Sequence, residues 1–156
     1  MAWGRTQLLA AYQALGAPGV TAATVATLNN QKTTVTVPVP ISSVAAYLGL
    51  VGKLGAIETF AASPPSGAST QAVTAAQGLW EMIQSPDAFP PFDMPNPTVA
   101  AEVEAMLAAL VSPGTGVTAP IDSTDQATIL GLASQTVPVW QPPVDVGALQ
   151  VATGVF

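Results

Sequence analysis

The sequence contains no cysteine and no histidine. Without cysteine, the chain cannot form disulfides, thiolate nucleophiles or cysteine-ligated zinc and iron–sulfur sites. Without histidine, it lacks the commonest general base and the commonest ligand of transition metals. A Ser-His-Asp arrangement cannot be assembled from this chain alone. We therefore expect no metal site, no cofactor and no catalytic set, with carboxylates as the groups left for acid–base chemistry.

Charge is also scarce. Only 8% of the 156 residues are charged, while 49% are hydrophobic, and the net charge is −6. Soluble domains carry about a quarter charged residues, so this is a large departure. The basic residues, Arg5, Lys32 and Lys53, lie far apart and offer no footprint for phosphates or anionic lipids. The composition excludes disorder driven by charge and argues against nucleic-acid binding and membrane docking.

Apolar residues at helical spacing predict an all-α fold, a small bundle of five to six helices. The longest predicted helix covers residues 44–61 and stops before the Ser63-Pro64-Pro65 step. Gly49, Gly52 and Gly55 recur in it at every third position, and each glycine weakens a helix interior by about 1 kcal/mol. We expect a compensating close approach of a neighbouring helix, from the same chain or from another subunit.

A membrane span is the competing interpretation of residues 44–62. The length is suitable, but Lys53 and Glu58 lie near its middle, which favours a core helix. Residues 1–9 do not show the order of a signal peptide, so we expect no secretion by that route.

Residues 33–41 change the hydrophobic period from 3.6 to 2, which predicts an extended segment. One side of it carries Val35, Val37, Val39 and Ile41. Pro38 and Pro40 have no N–H to donate and exclude a central strand. Two interpretations stay open: a connector whose valines pack on the helices, or an edge offered to a partner chain by strand addition.

Two further segments combine proline with large apolar side chains. Residues 85–97 contain five prolines together with Phe89 and Phe92, which we expect to pack on the chain's own core or on a partner. Residues 136–156 form a predicted extended C-terminal arm with a short terminal helix, and residues 1–135 form the helical domain, including segment 33–41. In the arm, Trp140 either folds back on the bundle or fills a neighbour's groove.

The carboxylates have structural explanations. Glu102 and Glu104 lie near the start of a predicted helix, where the helix dipole favours them, and their spacing directs them about 200° apart. Asp122 and Asp125 resemble a helix-capping arrangement and lack the further oxygen ligands of a calcium or magnesium site.

The order of several motifs resembles a known group of proteins. A VPVP segment leads into a long apolar helix, and a TILGLASQ helix, a PVWQPP step and a short terminal helix follow. Residues 36–54 and 123–156 resemble small proteins encoded in the structural modules of tailed bacteriophages. The resemblance implies a virion or assembly role and assigns no site residue.

The leading hypothesis is a non-enzymatic structural protein of a phage particle, in its tail, collar or head surface. It would be made in the host cytoplasm and would bind sister subunits or neighbouring virion proteins, with no nucleic acid, membrane or small-molecule substrate. The predicted contact residues are Val35, Val37, Val39, Ile41, Phe89, Phe92, Trp140 and Phe156.

Other functions stay open as alternatives. One is an assembly chaperone that holds a tail or fiber protein and leaves before maturation. Another is a cell-wall hydrolase, which needs two carboxylates about 5 to 10 Å apart in a cleft, and only Asp87 and Asp93 are candidates. A small membrane-associated protein would depend on residues 44–62.

Overall fold

The computed structural model describes residues 3–155, and these are mainly helical. The predicted all-α class is confirmed in its coarse form, with a small two-stranded sheet added. The described chain has eight α-helices rather than five or six. In chain order the elements are α1 (Arg5–Ala14), α2 (Ala22–Asn29), β1 (Lys32–Thr36), α3 (Ile41–Leu50), α4 (Leu54–Ala62), α5 (Thr70–Gln84), a 3₁₀ turn (Pro86–Ala88), α6 (Pro97–Val111), α7 (Ser123–Gly131), β2 (Ser134–Pro138) and α8 (Val146–Thr153).

The chain forms two compact units. Unit 1 contains the described parts of residues 1–35 and 136–156, and unit 2 contains residues Thr36–Gln135. The expected division into residues 1–135 and 136–156 stays a prediction about domains. Its boundary coincides with one of the two points at which the chain passes between the units.

Strands β1 and β2 pair with each other, and both contain a unit boundary. In unit 1, the Val139 N–H donates to the Gln31 carbonyl oxygen at 3.1 Å. In unit 2, the Val37 N–H donates to the Ala133 carbonyl oxygen at 2.7 Å. Gln31 and Val37 flank the two ends of β1, and they bond to Val139 and Ala133, which flank the two ends of β2. Residue numbers therefore rise along one strand as they fall along the other, so the two strands run antiparallel.

Unit 1 is built from α1, α2 and α8. Helix α8 packs on both α1 and α2, so the residues expected to form an arm belong to this core. The Thr21 side chain caps α2 by accepting from the Thr24 N–H. The Asp145 side chain caps α8 in the same way, by accepting from the Ala148 N–H. The buried side chains are Leu8, Tyr12, Leu28, Trp140, Val144, Leu149 and Ala152.

Unit 2 is built from α3 to α7, with α5 packed between α4 and α6. Its largest fully buried side chains are Val39, Ile41, Val44, Leu48, Ile57, Leu79, Leu107, Leu110 and Ile121. The spacing of larger apolar residues predicts that Val73, Ala76, Trp80 and Ile83 face inward in α5. The prediction is right for Ala76, which is buried, while Val73, Trp80 and Ile83 are half-buried against the same core. The other buried residues of α5 are Ala72, Ala75 and Leu79, because α5 contacts two helices and small side chains permit that packing.

The predicted single helix over residues 44–61 is wrong. Helix α3 begins at Ile41, after Pro40, and ends at Leu50; α4 begins at Leu54, and the two axes are bent by 106°. Gly52 has φ of 72°, a left-handed conformation that ends a helix and that glycine adopts at low cost. Residues 49–53, from the last turn of α3 to the residue before α4, are called the elbow. Ile41 is therefore a helical residue and not the end of the extended segment.

The glycines of this region have different surroundings. A Cβ at Gly49 would meet the side chain of Leu54, the first residue of α4, at 3.3 Å, so this glycine does permit a close approach of the next helix. A Cβ at Gly52 or Gly55 would meet no atom within 4 Å, so the expected close approach explains only one of the three positions.

Among the described residues, no single helix is long and apolar enough to cross a membrane. The bent pair of α3 and α4 satisfies the length and composition criteria only when the two helices are taken together.

Candidate functional site

The predicted contact residues of unit 2 divide into buried and half-buried groups. Val39 and Ile41 are each 2% exposed and belong to the core. Val39 pairs with Phe92 through an antiparallel bridge, with both N–H···O distances at 2.9 Å. Val37, Phe89 and Phe92 are half-buried. Val39 and Ile41 therefore pack on the chain's own core and do not lie on the surface. Strand addition by a partner chain along the rest of segment 33–41 stays a prediction.

The predicted contact residues of unit 1 also differ in exposure. Val35 is half-buried, whereas Trp140 is 4% exposed. The Trp140 indole Nε1–H donates to Gln31 Oε1 at 3.0 Å, and its ring meets Trp3 edge-on with centroids 5.8 Å apart. Trp140 thus folds back on its own unit, the first of its two predicted alternatives. Phe156 lies outside the described residues.

A polar cluster surrounds Asp125, at the first turn of α7. Its Oδ1 accepts from the Tyr47 hydroxyl at 2.8 Å, and its Oδ2 accepts from the Asp122 N–H at 2.9 Å. The Lys53 ammonium lies 3.7 Å from Asp125 Oδ2 and 3.9 Å from Asp122 Oδ2. The Asp125 N–H donates to Asp122 Oδ1, which completes the predicted capping box. The cluster ties the end of α3 and the elbow to the start of α7.

The surroundings of Asp125 keep it ionised. Burial raises the pKa of Asp125, but the Asp122 N–H, the Tyr47 hydroxyl and the Lys53 ammonium outweigh burial and hold the pKa below its ordinary value of 3.8.

The same contacts keep Tyr47 protonated. A hydrogen bond with Thr128 lowers the pKa of Tyr47, but the bond to Asp125, burial and the nearby negative charges raise it above 10.0. Both oxygens of Asp125 are occupied by donors of the same unit, so the cluster holds the end of α3 and the elbow against the start of α7.

A groove of about 490 Å³ runs between α5 and α6. Each helix contributes residues at positions i, i+3, i+4 and i+7, which form one face. They are Gln71, Thr74, Ala75 and Gly78 from α5, and Glu102, Ala105, Met106 and Ala109 from α6, with Thr70 at one end. Most of these side chains are small, so the two helix backbones form the walls of the groove.

The elbow presents an apolar projection. Residues 49–52, GLVG, are all exposed, and none has a polar side chain. Leu50 is 85% exposed and Val51 39%. Turns normally carry Gly, Pro, Asn, Asp or Ser, so two adjacent exposed aliphatic side chains are unusual at such a position.

Further acidic residues lie on other elements of unit 2. Asp87 lies in the 3₁₀ turn and Asp93 follows the Phe92 bridge, and both are exposed. Glu102 lines the groove, and Glu104 is exposed on the same helix. Over the described residues, no group of three or more acidic side chains is placed to hold a metal ion.

The Tyr47–Lys53–Asp125 contacts, the elbow and the groove are not predicted from the sequence. The sequence holds one signal for the contacts: Lys53 lies in an apolar stretch and needs an anion, and Asp122 and Asp125 form a predicted helix cap. The groove had no comparable signal, because small residues in α5 and α6 are equally compatible with a buried face.

Comparisons with protein-family models, with curated protein sequences and with solved structures find no match to this chain.

Proposed function

We propose that this protein is a non-enzymatic structural subunit of a large assembly, a particle of the tailed-bacteriophage kind, in which it binds sister subunits or neighbouring virion proteins. One observation carries the proposal: both units expose large aliphatic side chains on a surface that has few charges. These side chains are Leu50, Val51 and Leu132 in unit 2, and Val139, Val146, Val151 and Val155 in unit 1.

The scarcity of charge lowers the free-energy cost of covering this surface. A charged group loses its hydration in an interface and must regain it through a well-placed partner, so the centres of protein interfaces are depleted in charge. With 12 charged residues in 156, much of this surface can be covered without desolvating an ion.

The half-buried residues of the predicted contact set keep their proposed role. Val35, Val37, Phe89 and Phe92 retain exposed area that a neighbour can cover, whereas Val39, Ile41 and Trp140 support the fold.

The proposal is tested by following the chain into particles. Particles released from cells that encode the chain are purified on a density gradient, and their proteins are identified and counted by mass spectrometry. A structural subunit is expected at constant copy number in mature particles. If the chain occurs in assembly intermediates and is missing from mature particles, the chaperone function replaces this proposal; if it occurs in neither, both fail.

A further inference from the structure

We infer that two copies of this chain pair through the outer edge of β1, with the two β1 strands antiparallel, so that their two-stranded sheets join into one sheet of four strands. The inference rests on the proposed function and adds to it the surface through which sister subunits meet. It makes the predicted strand addition specific, with a second copy as the added strand and a two-fold axis that passes between the two Thr34 residues.

The register of the sheet shows which backbone groups of β1 face away from β2. Gln31 and Val37 bond to β2 residues at the two ends of the strand. In an antiparallel ladder every second residue bonds to the partner strand, so the even-numbered residues direct their N–H and C=O groups outward. These residues are Lys32, Thr34 and Thr36. Among the described residues, no backbone group outside the sheet bonds to them.

The edge of β1 is open to another chain. Four of its five residues are exposed, and the fifth, Val35, is half-buried. Proteins usually cover an edge strand or interrupt it with proline, because its free donors and acceptors can pair with another strand. The edge of β1 presents three N–H and three C=O groups in regular alternation, and the first proline, Pro38, follows the end of the strand.

A second copy offers the complementary edge. A strand that satisfies β1 must present the same alternation of donors and acceptors. The outer edge of β2 does not, since Pro138 is one of its outward residues and has no N–H. The edge of β1 does. When the two-fold axis passes between the Thr34 residues, Lys32 of one copy faces Thr36 of the other, and the three outward N–H groups of each strand all bond to outward carbonyl oxygens.

The side chains favour this register. Thr34 lies opposite Thr34 of the second copy, and Thr–Thr pairs stabilise neighbouring strands. On the other face of the sheet, half-buried Val35 lies opposite Thr33 of the second copy, so two β-branched side chains cover each other. Lys32 is the single charged residue of β1 and meets a threonine. In a parallel, in-register pair the two Lys32 ammonium groups would be neighbours and would repel each other.

The symmetry predicts the size of the assembly. The same edge is used by both copies, so the contact is isologous and closes at a dimer. One pair of short strands covers less than the lower limit of about 1,200 Å² that stable protein interfaces bury. We therefore expect weak, reversible dimers that are held more firmly where other contacts of a particle bring the copies together.

The first test places charge beside the two-fold axis. Thr34→Lys and Thr34→Glu each put two like charges directly opposite each other in the dimer. Thr34 is exposed, so circular dichroism and the urea midpoint should match those of the native chain. In sedimentation velocity, native protein should form dimers that grow no further, and each variant alone should have its dissociation constant raised about threefold or more. An equimolar mixture should bind about tenfold more tightly than either variant alone, because a cation then faces a carboxylate.

Matched controls carry the same charges on β2. Thr136 is exposed, and in the joined sheet it lies about 14 Å from Thr136 of the second copy, three strand spacings away. Thr136→Lys and Thr136→Glu should each dimerise as the native chain does, and mixing them should change nothing. Thr34→Pro removes the central outward N–H and should raise the dissociation constant about tenfold or more, whereas the bonds between β1 and β2 do not use that N–H.

Cysteine gives a second readout, because the native chain contains none. Thr34→Cys should form disulfide-linked dimers on oxidation, since hydrogen-bonded residues that face each other have Cα atoms about 5.5 Å apart, within the range of a disulfide. Thr136→Cys should remain monomeric under the same conditions, because a separation of about 14 Å is too long for a disulfide.

Several outcomes would overturn the inference. They are a native chain that is monomeric at every concentration, native-like dimers formed by Thr34→Pro, a mixture of the two charged variants that binds no better than its components, and equal cross-linking through residues 34 and 136. A monomeric native chain that enters particles when Thr34→Pro does not would assign the edge to a neighbouring virion protein and would also overturn it. Incorporation of native protein into particles is measured separately, so each of these results can occur while the proposed function stands.

Discussion

Replacing Asp125 with asparagine tests whether the cluster at the elbow stabilises unit 2 through an ionised carboxylate. Asp125 is 4% exposed and accepts two hydrogen bonds from fixed donors. Hydrogen bonds to charged groups contribute about 1.5 to 3 kcal/mol each. Asparagine has one side-chain oxygen, which can accept only one of these two hydrogen bonds. Its NH₂ group would then face the donor that the second carboxylate oxygen binds in the native protein.

The expected loss is about 2 kcal/mol in the free energy of unfolding at pH 7, close to the value of one charge-assisted hydrogen bond. Lys53 adds little to this figure, because its side chain is one-third exposed and water screens its attraction to the carboxylate. With a urea dependence of about 1 to 3 kcal/mol per molar, the midpoint should fall by about 1 M. Urea unfolding followed by far-ultraviolet circular dichroism measures this shift.

The pH dependence gives an independent measurement. Because the pKa of Asp125 is lowered by folding, its contribution is fully present above its ordinary value of 3.8 and is lost as the pH falls through the folded-state value. The difference between native protein and Asp125→Asn should therefore be constant near neutrality and shrink below pH 3.8.

Asp93→Asn serves as the control, because Asp93 is an exposed carboxylate of the same unit. Its free energy of unfolding should stay within about 0.5 kcal/mol of the native value at pH 7. Equal midpoints for native protein and Asp125→Asn at pH 7, or a gap between them that does not narrow in acid, would refute the argument.

Two further pairs of variants test the elbow by urea unfolding. Leu48→Ala should lose about 2 to 5 kcal/mol in the free energy of unfolding, because Leu48 is fully buried. Leu50→Ala should change it by less than about 0.5 kcal/mol, because Leu50 is 85% exposed. Similar losses at both positions would contradict the exposure of the elbow. Gly52→Ala should lose about 1 kcal/mol or more in the free energy of unfolding, since φ of 72° is strained for alanine. Gly55→Ala should gain about 0.5 kcal/mol, because Gly55 lies in α4 with open space around it. A stabilising Gly52→Ala would show that α3 and α4 can join as one helix.

Four helix starts carry a local sequence signal, whereas α3 begins at Ile41, three residues before its predicted start. Thr21, Ser69, Asp122 and Asp145 each cap a helix by accepting from a backbone N–H three residues later. Such a bond depends only on neighbouring residues, so it can be recognised without knowledge of the fold.

The elbow shows where local patterns stop being sufficient. Glycine inside an apolar helical pattern is compatible with a helix interior or with a stop. The bend lets Val44 and Leu48 of α3 and Ile57 and Phe60 of α4 enter the same core. That gain depends on residues that are distant in the sequence, so the choice is a tertiary one.

Contacts between distant residues account for the other differences. Tyr47 and Asp125 are 78 residues apart, and Trp140 and Gln31 are 109 residues apart. No spacing rule connects such pairs, because the approach of their helices and strands depends on how whole faces pack. For the same reason, the sequence predicts that Val39, Ile41 and Trp140 contact a partner, whereas packing places all three in the core.

The helical class, four of the helix caps, the absence of thiol and imidazole groups and the scarcity of charge can be read from the amino-acid sequence, since each follows from composition or from residues within one helical turn. Tertiary packing settles which apolar residues are buried, where the chain bends at Gly52, and how α5 and α6 form a groove. These features depend on the simultaneous packing of several elements, and the free energy of that packing comes from contacts between residues far apart in the chain.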